Sequence, residues 1–139
     1  MFNFFGLIIL ILLASFMHAK PQDNKHDPAP GACIHSEEYH RLTNGEVKTL
    51  EFNKKWVNCG RSALAYANGT TSCLHKEFPN IDEKCTRCFG NYTSCAARFS
   101  NCFSKCFRSA SKECKICSLE KCGDDWARCT GLLKESVPQ

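Results

Sequence analysis

Beyond Phe16 the chain has no stretch long and apolar enough to span a bilayer, which takes ~20 residues. It contains no GxSxG, no phosphate-binding loop and no HExxH, so nothing points to a serine hydrolase, a nucleotide enzyme or a zinc protease. No alternating strand and helix pattern surrounds its CxxC pairs, as a thioredoxin-like redox protein would require. Its apolar fraction of 43% is misleading, because 12 of those residues are cysteines and many others lie in the first 17 positions. The remainder has a thin core for 139 residues and needs covalent staples. What the chain does have is cysteine, several times ordinary usage, which points to a disulfide scaffold in an oxidising compartment and away from a cytosolic enzyme.

Four segments are expected. Residues 1–19 read as a signal peptide: Phe4 to Phe16 form an uncharged apolar run of 13 residues, and Ala19 offers a small residue for cleavage. Residues 20–32, with three prolines and no large apolar side chain, read as a flexible linker. Residues 33–83 form an acidic, cysteine-poor region. Residues 84–139 form a cationic, cysteine-rich helical region. From Pro21 to Glu83 there are seven Lys/Arg against nine Asp/Glu, a net of −2; from Lys84 onward there are ten against five, a net of +5; Lys20 completes the total of +4.

Helical periodicity carries the fold class. Cys85, Cys88, Cys95, Cys102 and Cys106 fall within roughly a 100° arc of a helix at ~100° per residue. Phe89, Tyr92, Phe99, Phe103 and Phe107 lie on or beside that arc, and Arg87, Arg98, Lys105 and Arg108 lie opposite it. Asn80 with Glu83 resembles a capping box after Pro79, and Gly90-Asn91 is a point where the helix can split. After a turn at Ser109-Ala110-Ser111, Cys114, Cys117 and Cys122 share another helical face, with Gly123 placed as a C-cap. Asp124-Asp125 then starts a short helix with Trp126 and Cys129, closed by Thr130-Gly131. In the front region Thr43-Asn44-Gly45-Glu46 signals a turn. A helix with two apolar faces follows, one of Val47, Leu50, Val57 and Leu64, the other of Phe52, Trp56, Cys59, Ala63 and Tyr66, ended by Asn68-Gly69. The expected fold is all-α, small and disulfide-rich, with short antiparallel helices stapled by cystines and a flexible N-terminal segment.

All twelve cysteines are expected in disulfides: Cys33, Cys59, Cys73, Cys85, Cys88, Cys95, Cys102, Cys106, Cys114, Cys117, Cys122 and Cys129. Spacing leaves roughly ten thousand pairings open. Parity restricts them: three cysteines precede Cys85 and nine begin there, so full pairing within one chain requires a disulfide between the two parts. A cut after Arg87 instead leaves four and eight. Zinc at Cys85-x2-Cys88 and Cys114-x2-Cys117 would need thiolates and would leave most cysteines unexplained. His35, His40 and His75 with Glu37 and Glu38 have no fixed ligand spacing and read as surface groups. No metal, cofactor or catalytic residue is therefore expected, and no enzyme. Asn68 and Asn91 open N-x-Ser/Thr sequons and are glycosylation candidates.

The leader, the −2 front, the +5 back and the run CTRCFGNYTSC…NCFSKCF…CKIC…KC…RC resemble the layout of periculins, a family of secreted cysteine-rich antimicrobial proteins. The resemblance implies a secreted, cationic, disulfide-rich host-defence protein that is antimicrobial and membrane-active. Arg87, Arg98, Lys105 and Arg108 are the expected contacts to an anionic bacterial membrane surface. A secreted toxin or signalling ligand acting on a channel or membrane receptor is the alternative, with affinity from aromatic and Arg anchors. Nucleic acid is not an expected partner, since no recognised binding fold accompanies the charge.

Overall fold

The computed structural model describes residues 30–43, 46–99, 102–106 and 111–137, without the side chains of residues 42, 46–48 and 99. The leader, the linker up to residue 29, the Asn44-Gly45 turn, Phe107, Arg108 and Ser109-Ala110 lie outside them.

The described chain is all-helical. Its elements are α1 (Glu37–Thr43), α2 (Glu46–Ser62), α3 (Ala67–Glu77), α4 (Glu83–Ser94), a π-helical turn (Cys95–Phe99), α5 (Phe103–Cys106) and α6 (Lys112–Thr130), followed by a 3₁₀ turn (Lys134–Ser136). The twelve cysteines form six disulfides. Four of them, Cys88–Cys129, Cys95–Cys122, Cys102–Cys117 and Cys106–Cys114, are nested, with sequence separations of 41, 27, 15 and 8. Nested pairs of steadily falling separation are the rungs of an antiparallel hairpin, here α4, the π turn and α5 against α6. Cys59–Cys73 ties α2 to α3 in a second hairpin. Cys33–Cys85 is the cystine between front and back that parity demands.

Local signals set the helix ends. α4 starts at Asp82, whose Oδ1 accepts from the Lys84 N–H at 2.7 Å, so Asp82 is the cap and not Asn80. α6 starts at Ser111, whose Oγ accepts from the Cys114 N–H, and ends at Gly131 in the left-handed conformation (φ 77°). Gly123 does not end a helix. α6 runs through it, and the glycine makes room for the Lys134 side chain of the folded-back tail. α4 likewise continues through Gly90. A Cβ there would lie 2.2 Å from Thr71 Oγ1 and 2.5 Å from the Ala67 carbonyl oxygen, so glycine lets α3 and α4 approach closely. The helix widens instead at the π turn five residues later.

The front region departs from its expected pattern. α2 stops at Ser62, and Leu64 and Ala65 turn the chain with positive φ (49° and 58°). Asn68-Gly69 lies inside the first turn of α3, where Gly69 fits against Ala63. Among the described side chains of α2, only one face is buried. Phe52, Trp56 and Cys59 are inside, whereas Leu50 is 65% exposed and Leu64, beyond the helix, 74% exposed.

The core is mostly aromatic and cystine. Phe89, fully buried on α4, has the rings of Tyr39, Phe52, Trp56 and Trp126 around it at centroid distances of 5.0 to 6.0 Å. Burial pushes the Tyr39 hydroxyl well above the ordinary tyrosine range. Gly31 and Ala32, at the end of the stretch read as a linker, and Cys33 donate their backbone N–H groups to the carbonyls of Arg128, Cys129 and Thr130. The front thereby satisfies the last carbonyls of α6, which have no partner within their own helix.

Candidate functional site

The four cations singled out from the helical arc do not form one site. Arg87 donates to the Glu83 carboxylate at 2.8 Å one turn earlier on α4. Arg98, in the π turn, lies over the Tyr66 ring with its guanidinium carbon 3.5 Å from the centroid. Lys105 is exposed on α5, and Arg108 lies outside the described residues. Of the phenylalanines beside the arc, Phe89 is core but Phe103 is 48% exposed. A π turn at Cys95–Phe99 breaks the single-helix phase, so positions beyond it do not keep the register of the arc.

Arg98 and Phe103 instead belong to a cleft of about 890 Å³ between α2, the π turn, α5 and the start of α6. From α2 come Trp56, Val57 and Arg61; from the π turn, Ala96, Ala97 and Arg98; from α6, Lys112, Lys115 and Leu119. Val137 of the C-terminal tail also lines it. The polar groups of its walls are largely spent within the protein. Thr93 Oγ1 accepts from Trp56 Nε1 at 2.8 Å and donates to the Phe89 carbonyl. Ser118 Oγ accepts from the Tyr92 hydroxyl and donates to the Lys115 carbonyl. Burial, the larger effect, raises the Tyr92 hydroxyl pKa against that hydrogen bond. A ligand would therefore meet apolar surface and positive charge.

No described lining residue is acidic, while Arg61, Arg98, Lys112 and Lys115 all line the cleft. Elsewhere Arg41, Lys55, Arg87, Arg128 and Lys134 each pair with a carboxylate. Arg61, Lys112 and Lys115 have no such partner among the described residues. Glu113, in the first turn of α6, is turned to local use. Its carboxyl is held below the ordinary range first by its own backbone N–H, then by the Ser111 hydroxyl, with Lys105 adding to the effect.

Sequence reasoning missed Arg61, Lys112 and Lys115. Arg61 comes from the acidic front, and only the tertiary fold brings it to the cationic back. The Lys-x2-Lys spacing of the latter two, on one face of a helix start, was the available signal.

Asn68 is exposed in the first turn of α3 and Asn91 half-buried in α4. Each cysteine of the two CxxC pairs is oxidised with a partner outside its pair. His40 Nε2 lies 3.2 Å from the Ile34 carbonyl oxygen, and among the described residues no three His, Cys, Asp or Glu side chains are grouped to hold a metal. Also among the described residues, no helix is long and apolar enough to cross a membrane. Comparison with protein-family models, with curated proteins and with solved structures finds no match to this chain.

Proposed function

We propose that this is a secreted, cationic host-defence protein that acts by binding anionic membrane surfaces and carries out no catalysis. Six cystines fit an extracellular protein. The observation that carries the reading is the cleft, where apolar walls stand beside four cations and no described acidic residue. Such a surface complements a lipid interface, with acyl carbon beneath and negative headgroups above. Lys105 extends the positive surface on α5, whereas Arg87 is engaged with Glu83.

The test is binding of the oxidised protein to phosphatidylglycerol-containing vesicles and to pure phosphatidylcholine vesicles, alongside a bacterial killing assay. The anionic vesicles are expected to bind better. Raising salt from 0.01 to 0.15 M shortens the screening length from about 30 to about 8 Å and should weaken binding strongly. Changing Arg61, Lys112 and Lys115 together to Gln should lower both binding and killing. A parent protein that neither binds nor kills refutes the reading. Leu64, Tyr66 and Phe103, exposed beside the cleft, favour one second reading, a toxin or ligand that anchors to a receptor or channel. Salt-insensitive binding to cells with none to vesicles would select it.

A further inference from the structure

We infer that the cleft is a closed-stoichiometry binding site for a single-chain anionic lipid of the fatty-acid class, one molecule per protein. The inference deepens the membrane reading and rests on the same cleft, but it asks for more than surface attraction. A flat cationic face needs no cavity. Here about 890 Å³ of space lies between α2 and the hairpin, whose side of the cleft is fixed by cystines: Cys95–Cys122, Cys102–Cys117 and Cys106–Cys114 hold the π turn and α5 against α6. That volume falls within the ~300–1,000 Å³ of small-molecule sites. Leu64 and Phe103, which line the cleft, are 74% and 48% exposed, so an apolar occupant supplies burial that they lack.

The charge pattern selects the headgroup. A neutral lipid would leave Arg61, Lys112 and Lys115 with solvent alone, since no described carboxylate faces them in the cleft. A carboxylate gives them charge-assisted hydrogen bonds, the strong kind. The wall hydroxyls of Thr93 and Ser118 are already committed within the protein, so neither calls for a polar partner on the ligand. One charged end and one long apolar body is the chemistry that remains.

The experiment uses the oxidised protein and submicellar oleate, with oleyl alcohol as the uncharged analogue of the same chain. Native mass spectrometry counts bound molecules, and tryptophan fluorescence follows Trp56 in the cleft wall. One oleate per protein is expected, with oleyl alcohol at least tenfold weaker. The variant Arg61→Gln with Lys112→Gln and Lys115→Gln should lose at least tenfold in oleate affinity. These side chains carry no ion pair among the described residues, so their removal should leave the helical circular dichroism unchanged. The comparison of the two ligands on the parent protein stands without any variant. Equal binding of oleate and oleyl alcohol, or no discrete 1:1 complex, overturns the inference. Anionic-vesicle binding without an oleate complex would refute the cleft ligand and leave the membrane role. An oleate complex without vesicle binding or killing would do the reverse.

Discussion

Removing Cys33–Cys85 should cost far more stability than removing Cys106–Cys114, although each deletes one cystine. The first closes a loop of 52 residues and the second a loop of 8. Loop-closure entropy then gives about 4 kcal/mol for the first and about 2.5 kcal/mol for the second at 25 °C. The Cys59–Cys73 bond short-circuits 14 residues inside the larger loop. Because the dependence is logarithmic, that changes the larger value by only a few tenths of a kcal/mol. Burial acts in the same direction. Cys33 and Cys85 are fully buried, whereas Cys106 and Cys114 are only partly so. Replacing the first pair with alanine leaves a void that adds about 1 kcal/mol. The difference between Cys33→Ala/Cys85→Ala and Cys106→Ala/Cys114→Ala is therefore about 2–3 kcal/mol. Guanidinium unfolding, followed by the fluorescence of Trp56 and Trp126, measures both variants under non-reducing conditions. Equal losses, or a larger loss for the short loop, would refute both the connectivity and the argument from chain entropy.

Gly90→Ala should destabilise by about 2 kcal/mol or more, since the added methyl meets Thr71 and the Ala67 carbonyl and helix propensity returns only about 1 kcal/mol. Gly123→Ala should stay within about 1 kcal/mol of the parent, because the obstacle there is the movable Lys134 side chain; thermal unfolding compares the two. Tyr39 is raised above its unfolded value by burial, so the stability it contributes is complete below an unfolded pKa of about 10 and is lost as pH rises above it; denaturant midpoints at pH 8 and pH 11 should fall in that order. A methionine placed at position 84 or 87, in a chain whose own methionines are Met1 and Met17, directs a cyanogen bromide cut. Without reductant and in denaturant, the pieces should stay joined after the cut at 84 and separate after the cut at 87, as read by mass spectrometry.

The cysteine arc made the helical class legible, because several cysteines on one helical face imply a facing partner, which is α6. Parity made the crossing bond legible, though not its identity. Helix boundaries were less so. Asn68-Gly69 and Gly123 look like helix ends because glycine permits left-handed backbone. In the fold, Gly69 and Gly123 serve close packing, a use that depends on neighbours distant in sequence. The real end of α2 falls at Leu64 and Ala65, residues whose types announce nothing of the kind. The cleft was illegible for a related reason. Its Arg61 and its Lys112 and Lys115 are 51 positions or more apart and carry no common motif. Only the tertiary fold, which sets α2 and the start of α6 around one cleft, brings them together.

The cystines divide into two sets that share no residue and no loop. Cys33–Cys85 and Cys59–Cys73 lie wholly at or before Cys85, and the four rungs of the hairpin lie wholly at or beyond Cys88. The dividing point falls inside α4, so the helix backbone across Thr86 and Arg87 is the one covalent link between them. Cys85 and Cys88 are three residues apart and so diverge by about 60° around the helix, enough for one to face the front and the other α6. Two closed cystine sets would otherwise be free to act as separate modules. What opposes this is Phe89, one residue beyond the boundary, with front rings Tyr39, Phe52 and Trp56 and the back ring Trp126 packed about it. The three N–H groups of residues 31–33 on the end of α6 add a second, polar attachment. Both attachments are non-covalent. A chain cut at position 87 should therefore remain one particle in native buffer and become two in denaturant, while the cleft, whose walls come from α2 and from the hairpin, exists only while the two sets are docked.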